Sequence, residues 1–423
     1  MTVRGAESQV DLAVVSYFNP ADFVGGAERV AWAEAELLSH TKRVVFLSAS
    51  PSLADASFSQ LRVGGWTRAL FQPAGGRRNP LRLLLFHLLS LFNPFVFFTS
   101  LAMFRRMRPQ VVHTHNLSAL SPAIWLSARL CGARVLHTHH DLWLICERAT
   151  MTDSKGRPCD ESQLTCRLCR VLRPPKRVQL KAVSLEAFPS SWLRDRLQGR
   201  GPVVPGFSTS RPGAAEAQEP TTPATVVFVG ALTAHKLGAL LAGFELASVS
   251  GAPPMRLVIA GAGPLAASIA AAAEANPAIS YLGPIDEGAR NRLLGRASVL
   301  LVPSACPEGS PLIFFEALAA GLPVIGSDIG GITELERFGN LVLVPPRDAE
   351  ALAAALVGLL TDHARLDRLR AEARRNRDAA APERFVNDLN RVIATLTAGA
   401  RASGGDSAGK RREGASSAGD QAR

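Results

Sequence analysis

Short apolar runs recur along the chain, and stretches with helical spacing of apolar residues separate them. In the first half the runs are Asp11 to Phe18, Arg43 to Ser48, Gln110 to Thr114 and Arg134 to Thr138, with a helix predicted over Gly25 to Ser39. The second half repeats the rhythm at Thr225 to Val229, Arg256 to Ala260, Ile279 to Leu282, Ser298 to Val302, Pro323 to Gly326 and Leu341 to Val344. Runs rich in β-branched residues with helices between them predict parallel sheets. The rhythm lapses over Ser208 to Pro223, which is rich in Pro, Ala and Glu and has no periodicity, so it reads as a linker. The pattern therefore predicts an α/β protein of two Rossmann-like domains, residues 1–207 and 224–382, joined by linker 208–223. Glu383 to Leu396 predicts a last amphipathic helix within 383–397, and the Gly/Ser/Ala-rich stretch 398–423 predicts a disordered tail. A length of 423 residues suits two domains, and a hydrophobic content of 47% can fill two cores.

One stretch departs from this rhythm. Leu83 to Phe104 is almost wholly apolar, is interrupted by Asn93-Pro94 and has arginines on both sides. Its length would span a bilayer. A transmembrane helix would cut into an otherwise continuous α/β domain, so two other readings stand beside it: a helix buried in the N-terminal domain, or an exposed helix or hairpin that dips into a membrane face. Charge favours the last. The net charge is +11, and no acidic residue occurs between Asp55 and Asp141, where Arg62, Arg68, Arg77, Arg78, Arg82, Arg105, Arg106, Arg108, Arg129 and Arg134 fall. Such a basic half points to an anionic partner. No nucleic-acid module or aromatic-interleaved basic run accompanies it, so an anionic membrane surface is expected and nucleic acid is not. Met1 to Val10 lacks the apolar core of a signal peptide, and the six cysteines then suit a reducing, cytoplasmic setting.

The candidate chemistry centres on Pro307-Glu308-Gly309-Ser310-Pro311-Leu312-Ile313-Phe314-Phe315-Glu316. Glu308 falls in the loop after a buried strand, Pro311 opens a helix, Gly321 closes it and Pro323-Val324-Ile325 begins the next strand. Loops at strand ends in open α/β sheets are where ligands bind. Glu316 falls in an apolar helical row, where a lone carboxylate needs a partner; a ribose diol would supply two donors. The bland alternative is a strand–helix–strand unit with one capping and one solvated glutamate.

This segment resembles the Glu-x7-Glu signature of the retaining, nucleotide-sugar-dependent glycosyltransferases of family 4, which share the GT-B fold; the likeness runs on through Gly330-Gly331-Ile332-Thr333-Glu334. Gly25-Gly26-Ala27-Glu28 resembles the family's loop between donor phosphate and acceptor, and it is not a GxGxxG dinucleotide fingerprint. His140-Asp141-Leu142-Trp143 resembles its His-Asp-x-Trp motif, which implies that His140 contacts the donor sugar or acceptor. Val229-Gly230-Ala231 to Lys236 matches the start of its second domain, and Gly261-Ala262-Gly263-Pro264 its Gly-x-Gly-Pro turn. In the family the GT-B terminal helix crosses back to the first domain. The resemblance covers about residues 11–397.

It implies that Glu316 holds the ribose, Lys236 the diphosphate, and Glu308 with the amides of Gly309, Ser310 and Pro311–Leu312 the sugar, near Gly230. Gly25, Gly26, Glu28 and Asp141 would line the acceptor and phosphate side, and His140 and Glu308 would flank the reacting carbon. Three departures stand out. Ala231 replaces the usual arginine, Leu237 stands where a glycine commonly follows the lysine, and Val203-Val204-Pro205-Gly206-Phe207 lacks the frequent Asn-Gly turn.

No Asp-x-Asp occurs, so a metal-independent, hexosyltransferase-type reaction with no required cofactor is expected. A site metal on His113, His115, His139 and His140 is a lesser alternative. Cys146, Cys159, Cys166 and Cys169 could close a structural zinc site, although plain reduced cysteines are favoured.

The resulting expectation is a retaining glycosyltransferase that moves a sugar from a nucleoside-diphosphate sugar to a glycan or lipid-linked acceptor. It would serve cell-surface polysaccharide or glycolipid synthesis at the inner face of the plasma membrane. A non-catalytic, membrane-docked GT-B partner in a polysaccharide assembly complex is the alternative from another class, and a GT-B epimerase is a lesser one.

Overall fold

The computed structural model describes residues 9–18, 25–50, 54–63, 80–117, 120–152, 157, 159, 164–209 and 223–409, with backbone alone over 80–84, 164–168 and 399–409. Two six-stranded parallel sheets form the frame. The first contains β1 (Leu12–Val15), β2 (Val44–Ser48), β3 (Ser59–Arg62), β4 (Val111–Thr114), β5 (Arg134–Thr138) and β6 (Leu185–Ala187), in the order β3-β2-β1-β4-β5-β6. The second contains β7 (Ala224–Val229), β8 (Met255–Ala260), β9 (Ile279–Tyr281), β10 (Val299–Val302), β11 (Val324–Ser327) and β12 (Leu341–Val344), in the order β12-β11-β10-β7-β8-β9. Both are the doubly wound order, with strand order reversing between β1 and β4 and between β7 and β10. The GT-B class anticipated from the sequence is the fold observed.

Side-chain alternation explains why both sheets are covered on both faces. On β1, Leu12 and Val14 face α1 (Gly26–Ser39), while Ala13 and Val15 face α3 (Pro94–Met107) and α4 (Ala123–Leu130). In the second sheet, Val226 and Phe228 pack with α8 (Leu240–Val249) and α12 (Ala349–Thr361). Val227 packs with α10 (Glu287–Arg296) and α11 (Leu312–Ala319). The two strands that sequence periodicity missed, β3 and β6, are both sheet edges, short and only partly buried, where polar residues are tolerated.

The last helix, α14 (Pro382–Gly409), lays Phe385, Leu389, Val392, Ile393 and Leu396 on the α1 side of the first sheet. Its backbone stays helical past 397, through an alanine-rich stretch, and residues 410–423 lie outside the described set, as do linker residues 210–222. The segment 203–209 makes the crossing between sheets. Phe207 stacks on Phe385 with centroids 4.2 Å apart, Arg384 donates to the carbonyls of Pro205 and Gly206, and the Ser208 N–H donates to the Ala380 carbonyl. This packing occupies the place where the family resemblance leads one to expect an Asn-Gly turn.

The apolar run forms two helices, α2 (Pro80–Leu91) and α3, broken at Asn93-Pro94. Asn93 accepts from the N–H groups of Phe95 and Val96 and so caps α3, with proline at its first position. Val96, Ser100, Leu101 and Phe104 are buried, while Leu88, Phe95 and Phe98 are 55%, 58% and 65% exposed. The Met107 carbonyl meets the Val10 N–H at the start of β1, and the Asn93 N–H meets Ser121 Oγ beyond the end of β4. The exposed aromatic end of α3 therefore lies at the end of the domain where the strands terminate.

Candidate active site

The carboxyl ends of β1, β4 and β5 present a cluster of buried polar groups. Glu28, in the first turn of α1, is 3% exposed and accepts from Asn116 Nδ2 at 2.9 Å. Asp141, after β5, accepts from the Trp143 N–H at 2.8 Å. Burial raises the pKa of both acids, and the Asp141 charge raises that of Glu28 further, so the two lie close together. His140 lies beside them. Its carbonyl faces the opposite domain: a Cβ at Gly309 would fall 2.7 Å from the His140 oxygen, so only glycine allows this approach.

Behind this surface runs a histidine network. Glu34 from α1 is fully buried, with Oε1 2.6 Å from His113 Nδ1 and Oε2 3.0 Å from His115 Nε2. His113 Nε2 lies 2.8 Å from Thr138 Oγ1, and His115 Nδ1 lies 2.9 Å from His140 Nε2. Burial pushes the Glu34 carboxyl up, but the two histidines outweigh it and hold its pKa at about 2. Burial brings His115 down to about 4, and it holds His137 and His140 well below the usual histidine range. A cavity of about 20 Å³, room for one water, is lined by His115, Asn116, His137, His140 and Asp141 among others.

In the second domain, β7 leads through Gly230 and the exposed Ala231 to α7 (Ala234–Leu237), and Lys236 on α7 forms an ion pair with Glu308. Ser304, just beyond β10, bonds the other Glu308 oxygen. Gly238, one residue after the expected position, has a positive φ of +48°, and a Cβ there would fall 2.0 Å from the Pro303 carbonyl oxygen. Ser310 Oγ is buried without a hydrogen-bond partner among the described residues, and no side chain caps α11, which Pro311 and Leu312 open. The Gly331 N–H is already bonded to the Glu308 carbonyl at 2.7 Å, so that amide is not free for a donor oxygen. Glu334 reaches across to the first domain, where it accepts from the backbone N–H groups of Ser191 and Trp192 at the start of α6 (Ser191–Leu197).

Glu316 differs from the expectation of an acid left open for a ribose. It is 3% exposed and pairs with Arg29 of α1, and its Oε2 lies 2.8 Å from Arg290 Nε of α10. A carboxylate this deep requires counter-charge, and without a ligand two guanidinium groups supply it. Both arginines also approach Thr209 Oγ1, at 3.2 and 3.3 Å. Arg29 directly follows the Gly25-Gly26-Ala27-Glu28 loop in the sequence, whereas no sequence signal singles out Arg290 or Ser304. Glu34 does have one: it interrupts the apolar stripe Val30–Leu38 of α1.

Among the described residues, the ligand atoms of Glu34, His113 and His115 come within 4.8 Å of one another. Glu34 is hydrogen-bonded to His113 and lies 3.0 Å from His115, so we read the trio as a buried ionic cluster. Of the four loop cysteines, Cys146 and Cys169 form no disulfide, and the Glu147 N–H meets Cys169 Sγ at 3.3 Å. The Cys166 side chain lies outside the described residues.

Two facing doubly wound domains, with an acid–lysine pair at the switch point of the second and a histidine at that of the first, define a GT-B glycosyltransferase. The profile described as glycosyl transferases group 1 matches residues 223–362, and that of glycosyltransferase family 4 matches residues 24–185. The chain belongs to the group 1 glycosyltransferases. It is 24% identical over 273 residues to an uncharacterized 42.6 kDa protein in the cps region of Klebsiella pneumoniae, covering 62% of this chain and 69% of that one. It is 37% identical over 83 residues to the phosphatidyl-myo-inositol mannosyltransferase of Mycobacterium leprae, a match to 19% of this chain and 22% of that one. In fold it is similar to the sucrose-phosphate synthase of Thermosynechococcus elongatus, with a TM-score of 0.69, 18% identity and coverage of 92% and 100% of the two chains. It is also similar to Anabaena HepE in complex with UDP-glucose, with a TM-score of 0.62, 15% identity and coverage of 92% and 100%.

Proposed function

We propose that this glycosyltransferase moves a hexose from a nucleoside-diphosphate sugar to a glycan or lipid-linked acceptor, with retention of configuration and without a catalytic metal. The observation behind the reading is the convergence of Lys236, Glu308, Ser304 and the unpartnered Ser310 hydroxyl at the ends of β7 and β10, directly opposite His140. HepE, of the same fold, was seen with UDP-glucose. Lys236 would neutralise charge on the leaving diphosphate, and Glu308 would orient the sugar hydroxyls. Glu316 would take the ribose once the arginines yield to it. As the bond from the anomeric carbon to phosphate breaks, a bond from that carbon to the acceptor oxygen forms on the same face. The departing phosphate oxygen takes the acceptor proton, so no protein nucleophile is required. The absence of Asp-x-Asp leaves Lys236 as the main counter-charge.

The acceptor side is read as membrane-facing, at the inner face of the plasma membrane. The exposed Leu88, Phe95 and Phe98 lie at the end where the strands terminate, and the exposed Arg105 and Arg106 lie further along α3, toward the start of the strands. Apolar insertion with arginine attraction, each worth about 1 kcal/mol, suits an anionic bilayer. Relatives named for amylovoran and colanic acid biosynthesis support a polysaccharide or glycolipid product.

The test incubates purified protein with UDP-, GDP- and ADP-sugars and membrane lipid extract, and measures released nucleoside diphosphate. One donor should give release, and Glu316→Ala should lower it by roughly 100-fold or more. Phe95→Ser/Phe98→Ser should reduce sedimentation with phosphatidylglycerol vesicles. No release from any donor, with Glu316→Ala indistinguishable from the parent, would favour the non-catalytic partner.

A further inference from the structure

A basic hollow lies at the end of the first sheet away from the cleft. β4 and β5 begin there, with Gln110 just before β4 and Arg134 as the first residue of β5. The end of α3 is tied to the same place. The Val10 N–H donates to the Met107 carbonyl, the Gln110 N–H to the Val10 carbonyl and the Arg134 N–H to the Gln110 carbonyl. Between these strand starts, α3 and Thr397 of α14 is a cavity of about 760 Å³, lined by Arg105, Arg108, Arg134 and Cys131 among others. That is room for a ligand of nucleotide size.

Several observations set the hollow apart from an ordinary solvated surface. Arg134 stands in register with Val111 and Leu12, so it shares the sheet face that α14 covers with apolar side chains. Arg108 ends α3 in the left-handed conformation, with φ +48°, a position that glycine or asparagine usually fills. Among the described residues, no carboxylate pairs with Arg105, Arg108 or Arg134; Asp11, at the start of β1, is held by Arg43 and by Gln110 Nε2 at 3.3 Å. The amides of residues 131–134 all donate to protein carbonyls, so recognition of a ligand falls to the guanidinium groups. Three such groups around one cavity repel each other, and an anion between them relieves that repulsion. The planar fork of a guanidinium matches two oxygens of a phosphate.

We propose that this hollow is a binding site for phosphate groups, separate from the donor cleft, and that it takes a soluble anion carrying two or more of them. A lipid headgroup offers the same chemistry. The soluble source is favoured because the exposed aromatic end of α3 lies at the other end of the domain. The site does not rest on the glycosyl-transfer reading, since its lining comes from the strand starts, α3 and α14.

Cys131 reports on the hollow directly. It is half-buried, and its thiol meets the Leu101 carbonyl at 3.7 Å. The full-length chain is modified with N-ethylmaleimide, and the rate at each cysteine is read by peptide mass spectrometry, with inorganic tripolyphosphate as the probe. Saturating tripolyphosphate should slow modification of Cys131 about fivefold or more in the parent and in Lys236→Ala, and leave Cys159 unchanged. In Arg108→Gln/Arg134→Gln, which keeps Arg105 beside the thiol, protection should fall below about 1.5-fold. Arg134→Gln alone replaces the double variant if circular dichroism shows that the latter does not fold. Protection that survives in the arginine variant but is lost in Lys236→Ala would place the probe in the donor cleft and overturn the proposal. Protection by phosphatidylglycerol vesicles alone, dependent on the same arginines, would uphold the phosphate site and overturn the soluble source. No protection by either probe would overturn the site itself.

Discussion

The tips of the two sheets hold buried charge in different ways. At the first, Glu34 finds its partners among histidines of the same domain, through contacts of 2.6 and 3.0 Å, and the chain of partners runs inward from the cleft. At the second, Glu308 and Glu316 are held by long, mobile cations, Lys236, Arg29 and Arg290, and one of these belongs to the opposite domain. The first arrangement is a fixed frame that no ligand needs to enter. The second is a set of ion pairs that, under the proposed function, are exchangeable: a diphosphate would compete for Lys236, and a ribose for Glu316. In one protein the same ingredients, carboxylates without water, thus serve as scaffold on one side of the cleft and as binding capacity on the other.

Removing the exchangeable cation breaks the comparison most severely. Lys236→Ala should lower kcat for nucleoside diphosphate release by about 100- to 1,000-fold, because charge on the leaving group goes unanswered. A loss under tenfold in steady-state kinetics would mean that another cation serves the diphosphate. A smaller and opposite effect is expected at Ala231, whose side chain is exposed beside Gly230. Ala231→Arg adds a charge-assisted contact and should tighten nucleoside diphosphate binding by about tenfold, or ~1.4 kcal/mol, by calorimetry. Unchanged or weaker binding would place the diphosphate elsewhere.

The smallest effect sharpens the description of the fixed frame. His115, His137 and His140 have folded pKa values below their unfolded ones, with His115 at about 4. The unfolded chain therefore takes up protons near pH 6.5 that the folded chain refuses, and stability falls as pH drops from about 6.5 toward 4. Glu34, lowered to about 2, adds stability that is present above about 4.5 and lost as pH falls toward 2. Glu28 and Asp141 are raised and work the other way, costing stability that is regained on acidification. With three histidines dominating this window, Tm should fall by roughly 5 °C between pH 7 and pH 5. A flat or rising Tm would show that the network is not held neutral.

Much of this could be read in the chain, and the part that could not has a physical pattern. The eight interior strands and the edge strands β9 and β12 announce themselves by apolar runs; β3 and β6, edges whose sequences Ser59–Arg62 and Leu185–Ala187 carry polar residues and few buried ones, do not. Glu308, Glu316, Lys236 and His140 were legible from motif likeness. Their partners were not: Arg290 and Ser304 come from separate elements, and only the fold decides that they meet Glu316 and Glu308. Glu334 is a further case. It stands in a recognisable segment, yet its contact with Ser191 and Trp192 in the other domain follows no local rule.

The position of α14 has a consequence for how the molecule is made. The residues that finish one face of the first sheet, Phe385, Leu389, Val392, Ile393 and Leu396, are synthesised only after the whole second sheet has been made. A nascent N-terminal half leaving the ribosome holds a greasy flank that stays uncovered while the second domain is translated, and it is a natural client for a chaperone during that wait.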